Sequence, residues 1–242
     1  MHGDIWDAAE WSSGWHVRHL DETGSTNADL LADLDARLAG DRSVLVTDHQ
    51  TAGRGRLDRR WDAPAGTNLL VSIAVSPVPS VPSDATHRVG LAALFAARAA
   101  RPDVALTLKW PNDLLLEGSK VAGILAQRSS STDSLVVGLG LNIGWAPDDA
   151  ARLGSSVSPP ELLASILANL DALPSDIGPT YRSELSTIGC RVRLEVPGGS
   201  INRFVEGRAV DVDDQGRLLV ETDRGAICAY DAGDVVHVRP LG

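Results

Sequence analysis

The stretch KWPNDLLLEGSKVAGILAQ, Lys109 to Gln127, sets two apolar runs either side of Glu117, Gly118 and Ser119. Short apolar runs bounded by glycine and polar residues read as strands, and a Gly118-Ser119 turn between them predicts a β-hairpin. ALTLKW (Ala105 to Trp110) precedes it and SLVVGLGLNIG (Ser134 to Gly144) follows. Strand signals this closely spaced leave no room for crossover helices, so the spacing predicts antiparallel pairing. Upstream, SVLVTD (Ser43 to Asp48) and NLLVSIAVS (Asn68 to Ser76) add two more strand-like runs.

Helical periodicity surrounds these strands. Asn27 can cap a helix that carries Leu30, Leu31, Leu34 and Leu38 on one face. A second helix spans about Asp84 to Ala100 with Val89, Leu91, Leu94 and Phe95 inward. The proline pair of PPELLASILANLDAL starts a third at Pro159, and a short one follows Pro179. The expected class is α+β, a mixed β-sheet flanked by helices. From Cys190 the pattern changes to CRVRLEV, FVEGRAVDVD, QGRLLVET, GAICAYDA and DVVHVRP, short strands separated by turns, which predict a small β-barrel. The expected division is 1–187 and 188–242.

The 242 residues carry a formal net charge of −10, which excludes a protein that coats nucleic acid or an anionic membrane through a broad basic face. The seven arginines and nine acids after Cys190 give that segment no oligonucleotide-binding character either. Acids at Asp4, Asp7 and Glu10 rule out a secretory n-region, and no apolar run approaches the ~18 residues of a membrane span. Cys190 and Cys228 lack CxxC spacing and read as reduced thiols of a cytoplasmic protein.

Against that acidic background, QTAGRGRLDRRW (Gln50 to Trp61) concentrates Arg54, Arg56, Arg59 and Arg60 around Gly53 and Gly55. Glycine lets backbone N–H groups approach a ligand, and arginine's fork matches carboxylate and phosphate oxygens, so the loop suits an anion. The spacing is neither a Walker A loop nor a dinucleotide fingerprint. Only two lysines occur, Lys109 and Lys120, and they bracket one segment. Between them Pro111 breaks the strand and sets Asn112 and Asp113 at a turn. In GLGLN (Gly138 to Asn142) the alternate glycines leave one strand face bare for a flat ligand. Three anion-friendly segments beside a flat strand face point to an adenylating site.

GSTN (24–27), QTAGRGR (50–56) ending in Trp61, KWPND (109–113), KVAGIL (120–125) and GLGLN (138–142), in this order, resemble biotin protein ligases. The resemblance implies the fold shared with class II aminoacyl-tRNA synthetases, an SH3-like C-terminal module, and a two-step reaction. Biotin and Mg-ATP give biotinyl-5′-AMP, and the biotinyl group then moves to a lysine of the biotin carboxyl carrier domain of an acyl-CoA carboxylase. It further implies that Ser25, Thr26, Asn27, Gln50, Arg54, Gly55, Arg56 and Lys120 contact biotin. Arg54, Arg56, Trp61, Lys109, Asn112, Asp113 and Asn142 would bind ATP, with Asp113 a ligand of Mg²⁺ and Lys120, Arg56 and Lys109 catalytic. A lipoate ligase of the same superfamily and a non-catalytic adaptor are the alternatives.

The family's DNA-binding repressors carry an N-terminal helix-turn-helix domain, whereas here only about 20 residues precede GSTN, so DNA repression is not expected. The family loop reads G-R-G-R-x-G-R-x-W, and this chain has Asp58 at its later glycine, a carboxylate that would compete with phosphate for Arg56 and Arg59. An exposed sheet edge could support a homodimer.

Overall fold

The computed structural model describes residues 5–6, 9–196, 203–231 and 234–237. Seven strands form the larger sheet: β1 (His16–Thr23), β2 (Ser43–Gln50), β3 (Leu69–Val75), β4 (Leu106–Lys109), β5 (Asp113–Leu116), β6 (Ser119–Arg128) and β7 (Leu135–Leu141). Their order is β1-β2-β3-β7-β6-β5-β4. β1 pairs parallel to β2, while β2–β3, β3–β7, β7–β6 and β6–β5 pair antiparallel, so the sheet is mixed, as expected. Leu69 to Ala74 of β3 are all buried, as an apolar central strand covered on both faces requires. β1 lies upstream of the strand runs named above. Its sequence, HVRHLDET, is charged and largely exposed because it is an edge strand with a single neighbour.

The β5–β6 hairpin turns one residue earlier than expected. Glu117 (φ 49°) and Gly118 (φ 84°) both lie in the left-handed region, and Ser119 already belongs to β6. Two consecutive left-handed residues are what a two-residue turn matching strand twist demands.

One face of the sheet carries helix α1 (Thr26–Asp35), whose Leu30 and Leu34 pack on Leu45, Ala74 and Val136. Leu38 does not join them: the helix ends at Asp35, Arg37 turns left-handed (φ 60°), and Leu38 is 81% exposed. Helix α2 (Ser83–Ala100) lies against β5, β6 and β7, and α3 (Pro159–Ala172) packs on α2, with Asn169 Nδ2 donating to Ala92 O at 3.3 Å. Covered from two sides, α2 buries Val89 through Leu94 almost without interruption, more than the single inward stripe expected. A short helix α4 (Gly178–Glu184) follows.

The C-terminal strands β8 (Arg191–Val196), β9 (Arg203–Val212), β10 (Leu218–Thr222), β11 (Ile227–Tyr230) and β12 (Asp234–His237) are the five the sequence indicates. They pair antiparallel in the open order β11-β10-β9-β8-β12. Val192, Leu194, Ala209, Val212, Leu218 and Val220 form the buried side. Alternate residues face outward and pair, Arg191 with Asp223 at 2.8 Å and Arg193 with Glu206 at 2.6 Å. The PGG turn expected at 197–199 lies outside the described residues.

The chain divides into two compact units, residues 1–106 with 112–174, and 107–111 with 175–242. No helix among the described residues is long and apolar enough to cross a membrane.

Candidate active site

The face that carries α1 continues past the helix's first turn onto bare strand. Register places Ser72 of β3 beside Gly138 of β7, and Gly138 beside Leu125 of β6. One pleat further, Leu70, Gly140 and Gly123 line up in the same way. The glycines leave room that neighbouring side chains enter. A Cβ at Gly138 would collide with the Asn27 amide, and one at Gly140 with the Trp61 indole. At Gly123 a Cβ would stand 3.1 Å from both Lys120 Nζ and Trp61 Cζ3. The face expected to be bare is thus lined by Asn27 and Trp61.

The Gly138 end is neutral, and its buried side chains are hydrogen-bonded to one another and to the backbone. Ser25, not Asn27, occupies the N-cap position of α1, so Thr26 and Asn27 are its first helical residues. Gln50 Oε1 accepts the Thr26 backbone N–H at 2.9 Å. Ser72 Oγ lies 2.7 Å from Thr26 Oγ1 and 2.6 Å from Asn27 Oδ1. Asn27 Nδ2 donates to Leu125 O at 3.1 Å and to Gln127 Oε1 at 2.8 Å. Thr26, Asn27 and Ser72 are all buried, and burial without partners would cost about 1–3 kcal/mol for each group left unpaired.

The Gly140 end carries the charge. The arginine loop closes on itself through Trp61 N to Gly53 O (2.9 Å) and Gly55 N to Arg59 O (2.7 Å). Gly53 is needed there, since a Cβ would run into the Trp61 carbonyl. From this loop Arg56 Nη1 donates to Asn112 Oδ1 at 3.0 Å, and Asn112 is itself held by donating Nδ2 to Ile124 O at 2.7 Å. Asp113 Oδ1 sits 2.6 Å from Lys120 Nζ, which lies 5.7 Å from the centre of the Trp61 ring. The Pro-Asn-Asp turn therefore holds both cations, one through an amide and one through a carboxylate. Trp61 Nε1 is buried and has no hydrogen-bond partner among the described residues.

The remaining expected site residues have surroundings of their own. Arg54 is exposed, and its backbone bridges to that of Arg60 across the loop. Lys109 ends β4 and belongs to the second unit. Asn142 is buried: its Nδ2 donates to Ala151 O at 3.0 Å and its Oδ1 accepts from Asn68 Nδ2 at 3.3 Å. Asn68 Oδ1 in turn accepts from the backbone of Ile143 and Trp145, so Asn142 is part of a brace for the turn after β7. The loop's left-handed residue is Leu57 (φ 55°), one position before Asp58, whose side chain lies outside the described residues. Sequence reasoning missed Ser72, although a serine midway through an apolar strand is itself a signal, because a buried hydroxyl needs partners.

A second group with metal-ligand chemistry, His19, Asp21 and Asp48, lies on β1 and β2. There Trp6 stacks on His19 and donates Nε1 to Asp48 Oδ1 at 3.3 Å, which ties the N-terminal segment to the sheet.

A glycine-floored sheet face with a neutral amide-and-hydroxyl cluster at one end and an arginine and a lysine at the other defines a domain that binds a polar-headed carboxylate beside further anionic groups. Residues 21–143 match the model of the biotin/lipoate A/B protein ligase family, and residues 187–238 match that of the biotin protein ligase C-terminal domain. The chain belongs to the biotin/lipoate A/B protein ligase family. It is 41% identical to the biotin–[acetyl-CoA-carboxylase] ligase of Mycobacterium tuberculosis over 94% of this chain and 91% of that protein. It is 27% identical to the bifunctional ligase/repressor of Bacillus subtilis, covering 90% of this chain and 73% of that one. Among solved structures, the biotin protein ligase of Aquifex aeolicus in complex with biotin and ATP superposes with a TM-score of 0.76 at 25% identity, covering 93% of this chain and 99% of that one.

Proposed function

We propose that this protein activates biotin with ATP to biotinyl-5′-AMP and transfers the biotinyl group to one lysine of a biotin carboxyl carrier domain. The observation that carries this reading is that Arg56 and Lys120 are held on adjacent residues, Asn112 and Asp113, with Lys120 beside Gly123 of a sheet face whose other end is a neutral hydrogen-bonding cluster. The bicyclic head of biotin, with a urea edge, fits the neutral end formed by Ser25, Thr26, Asn27 and Gln50. Its valerate carboxylate then reaches Lys120 and Arg56.

In the first step a carboxylate oxygen attacks the α-phosphorus of ATP, the bond to the β-phosphate oxygen breaks, and pyrophosphate leaves. Two anions must approach, so fixed cations offset their repulsion and the charge that builds on the leaving group. Lys120 bridges the carboxylate and the α-phosphate as a compact point charge, while Arg56, Arg54 and Lys109 take phosphate oxygens. Trp61 covers the floor and, with Asn112 and Asn142 shaping the adjacent turns, forms the nucleotide side. Asp113 fits Mg²⁺ as one carboxylate among phosphate oxygens and waters, the usual way that ion is held. Bound there, the ion would neutralise phosphate charge. In the second step the carrier lysine amine attacks the acyl carbon and AMP leaves.

Residues 1–187 form the catalytic part and 188–242 an SH3-like module, in the cytoplasm, where Cys190 and Cys228 stay reduced. Family membership alone admits lipoate, so the deciding experiment is pyrophosphate release from ATP with biotin, with lipoate and with no added acid. Biotin-dependent release supports the reading, and release that follows lipoate or needs no acid overturns it.

A further inference from the structure

Leu20 and Leu45 pack beneath α1, so the alternate residues His19, Asp21 and Asp48 lie on the opposite face of the β1–β2 edge, away from the site described above. The parallel register sets Leu20 beside Thr47 and Glu22 beside His49, which places Asp21 beside Asp48. Two carboxylates side by side repel, and more strongly where one is shielded from water: Asp48 is only 8% exposed. Among the described residues neither aspartate is paired with an arginine or a lysine. A buried charge in a folded protein is paired or coordinates a metal.

The imidazole beside them is not aligned to answer with a hydrogen bond. His19 Nε2 lies 3.1 Å from Asp48 Oδ1, yet it is buried without a hydrogen-bond partner among the described residues, because the oxygen stands off the line that an N–H on this nitrogen would take. Neighbouring ligand atoms around a tetrahedral Zn²⁺ are about 3.3 Å apart, given bonds of about 2.0–2.1 Å, so the spacing suits a shared cation better than a shared proton. His19, Asp21 and Asp48 each offer one ligand atom, all within 4.8 Å of one another, and the exposed side chain of Asp21 has room to close the set. Trp6 supplies the outer support: its ring centre is 5.2 Å from that of His19, and Nε1 donates to Asp48 Oδ1 at 3.3 Å. Donors of this kind hold metal ligands in orientation.

We infer that His19, Asp21 and Asp48 form a Zn²⁺ site that fastens the N-terminal segment, through Trp6, to the edge strand. One imidazole with two carboxylates is a donor set that Zn²⁺ accepts, with water in the remaining position. His19 binds as the neutral ring, with the proton on Nδ1 and the lone pair of Nε2 on the ion. The two carboxylate charges are then matched by the cation. The site is separate from the arginine loop and from Lys120, and it stands whether or not the protein acts on biotin.

The test is calorimetric titration of Zn²⁺ into the full chain, freed of metal by a chelator and carrying Cys190→Ser and Cys228→Ser so that no thiol competes. This protein should bind Zn²⁺ tightly at one site. His19→Ala and Asp21→Asn should each weaken that binding by at least ~10-fold, the lower end of what even an outer partner of a metal ligand contributes. Asp21 is exposed, so Asp21→Asn probes the site without disturbing the core. Asp113→Asn, on the other face of the sheet, should leave the affinity unchanged. Absence of tight binding to the parent protein, an affinity unchanged in His19→Ala or Asp21→Asn, or a loss in Asp113→Asn would each overturn the inference.

Discussion

At Gly138 the sheet face meets Asn27, Thr26, Ser72 and Gln50, whose hydrogen bonds run back to the Leu125 carbonyl and the Thr26 N–H. Two residues along the same strand, at Gly140, it meets Trp61, with Lys120 and Arg56 held from the side by Asp113 and Asn112. The first end contains no charge, and its amides and hydroxyls are paired with one another. The second is held by side chains that could let go, since a lysine paired to a carboxylate and an arginine paired to a neutral amide can both exchange those partners for phosphate. Recognition of a neutral ring needs the first kind of order, and stabilising charge that appears only during reaction needs the second.

The arginines of the C-terminal strands sharpen the contrast. Arg191, Arg193 and Arg217 each lie against a carboxylate, and the pairs with Asp223 and Asp213 hold those acids below the usual carboxylate range. Arg56 has a neutral amide as its partner among the described residues. An arginine already matched to a carboxylate has little left to offer a phosphate.

The largest effect is expected at Lys120. Lys120→Arg keeps the charge but replaces a compact ammonium with a planar fork, and adenylate formation should fall by at least ~10²-fold, about 2.7 kcal/mol, in a single-turnover assay. Near-normal synthesis would dissolve the distinction between the two ends. Arg56→Ala removes a charged hydrogen bond worth about 1.5–3 kcal/mol, so biotinyl-AMP should escape at least ~10-fold faster from the variant when its dissociation is followed by filtration. Unchanged retention would place Arg56 outside the charged end.

Smaller changes probe the loop and the control arginines. Asp58→Gly removes a carboxylate between Arg56 and Arg59, and escape of the adenylate should slow by roughly threefold, the scale of an exposed ion pair, with formation undiminished. Equal or faster escape would show that Asp58 does not compete. Arg191→Ala, an exposed pair on the C-terminal strands, should leave the adenylation rate within about twofold of wild type. A large loss there would mean that paired arginines also serve the reaction.

Much of this was legible in the sequence because each element agrees with its own local chemistry. The apolar runs of β2, β3, β6 and β7 and the periodicity of α2 and α3 correspond to observed elements within a few residues. What escaped depends on context that a linear pattern does not carry. β1 is masked by the charges an edge strand tolerates, and Leu38 looks like a fourth rung of a helix that Arg37 has already ended. The motif glycines 138 and 140 announce a bare strand face, but not that Asn27 and Trp61 come to lie on it. Asp58 drew attention as the residue replacing a glycine, yet the left-handed backbone falls on Leu57, an exposed leucine at a cost of about 1–2 kcal/mol. Ser72 is one serine inside an apolar strand, and its meaning appears only when β3 is set beside α1 and β7.

The most direct measurement of the central claim is the intact mass of an isolated biotin carboxyl carrier domain after incubation with this protein, biotin and ATP. The account predicts one added biotinyl group, located by fragmentation on a single lysine and absent when ATP is withheld. A carrier domain that stays unmodified, or that gains label without ATP, would contradict it.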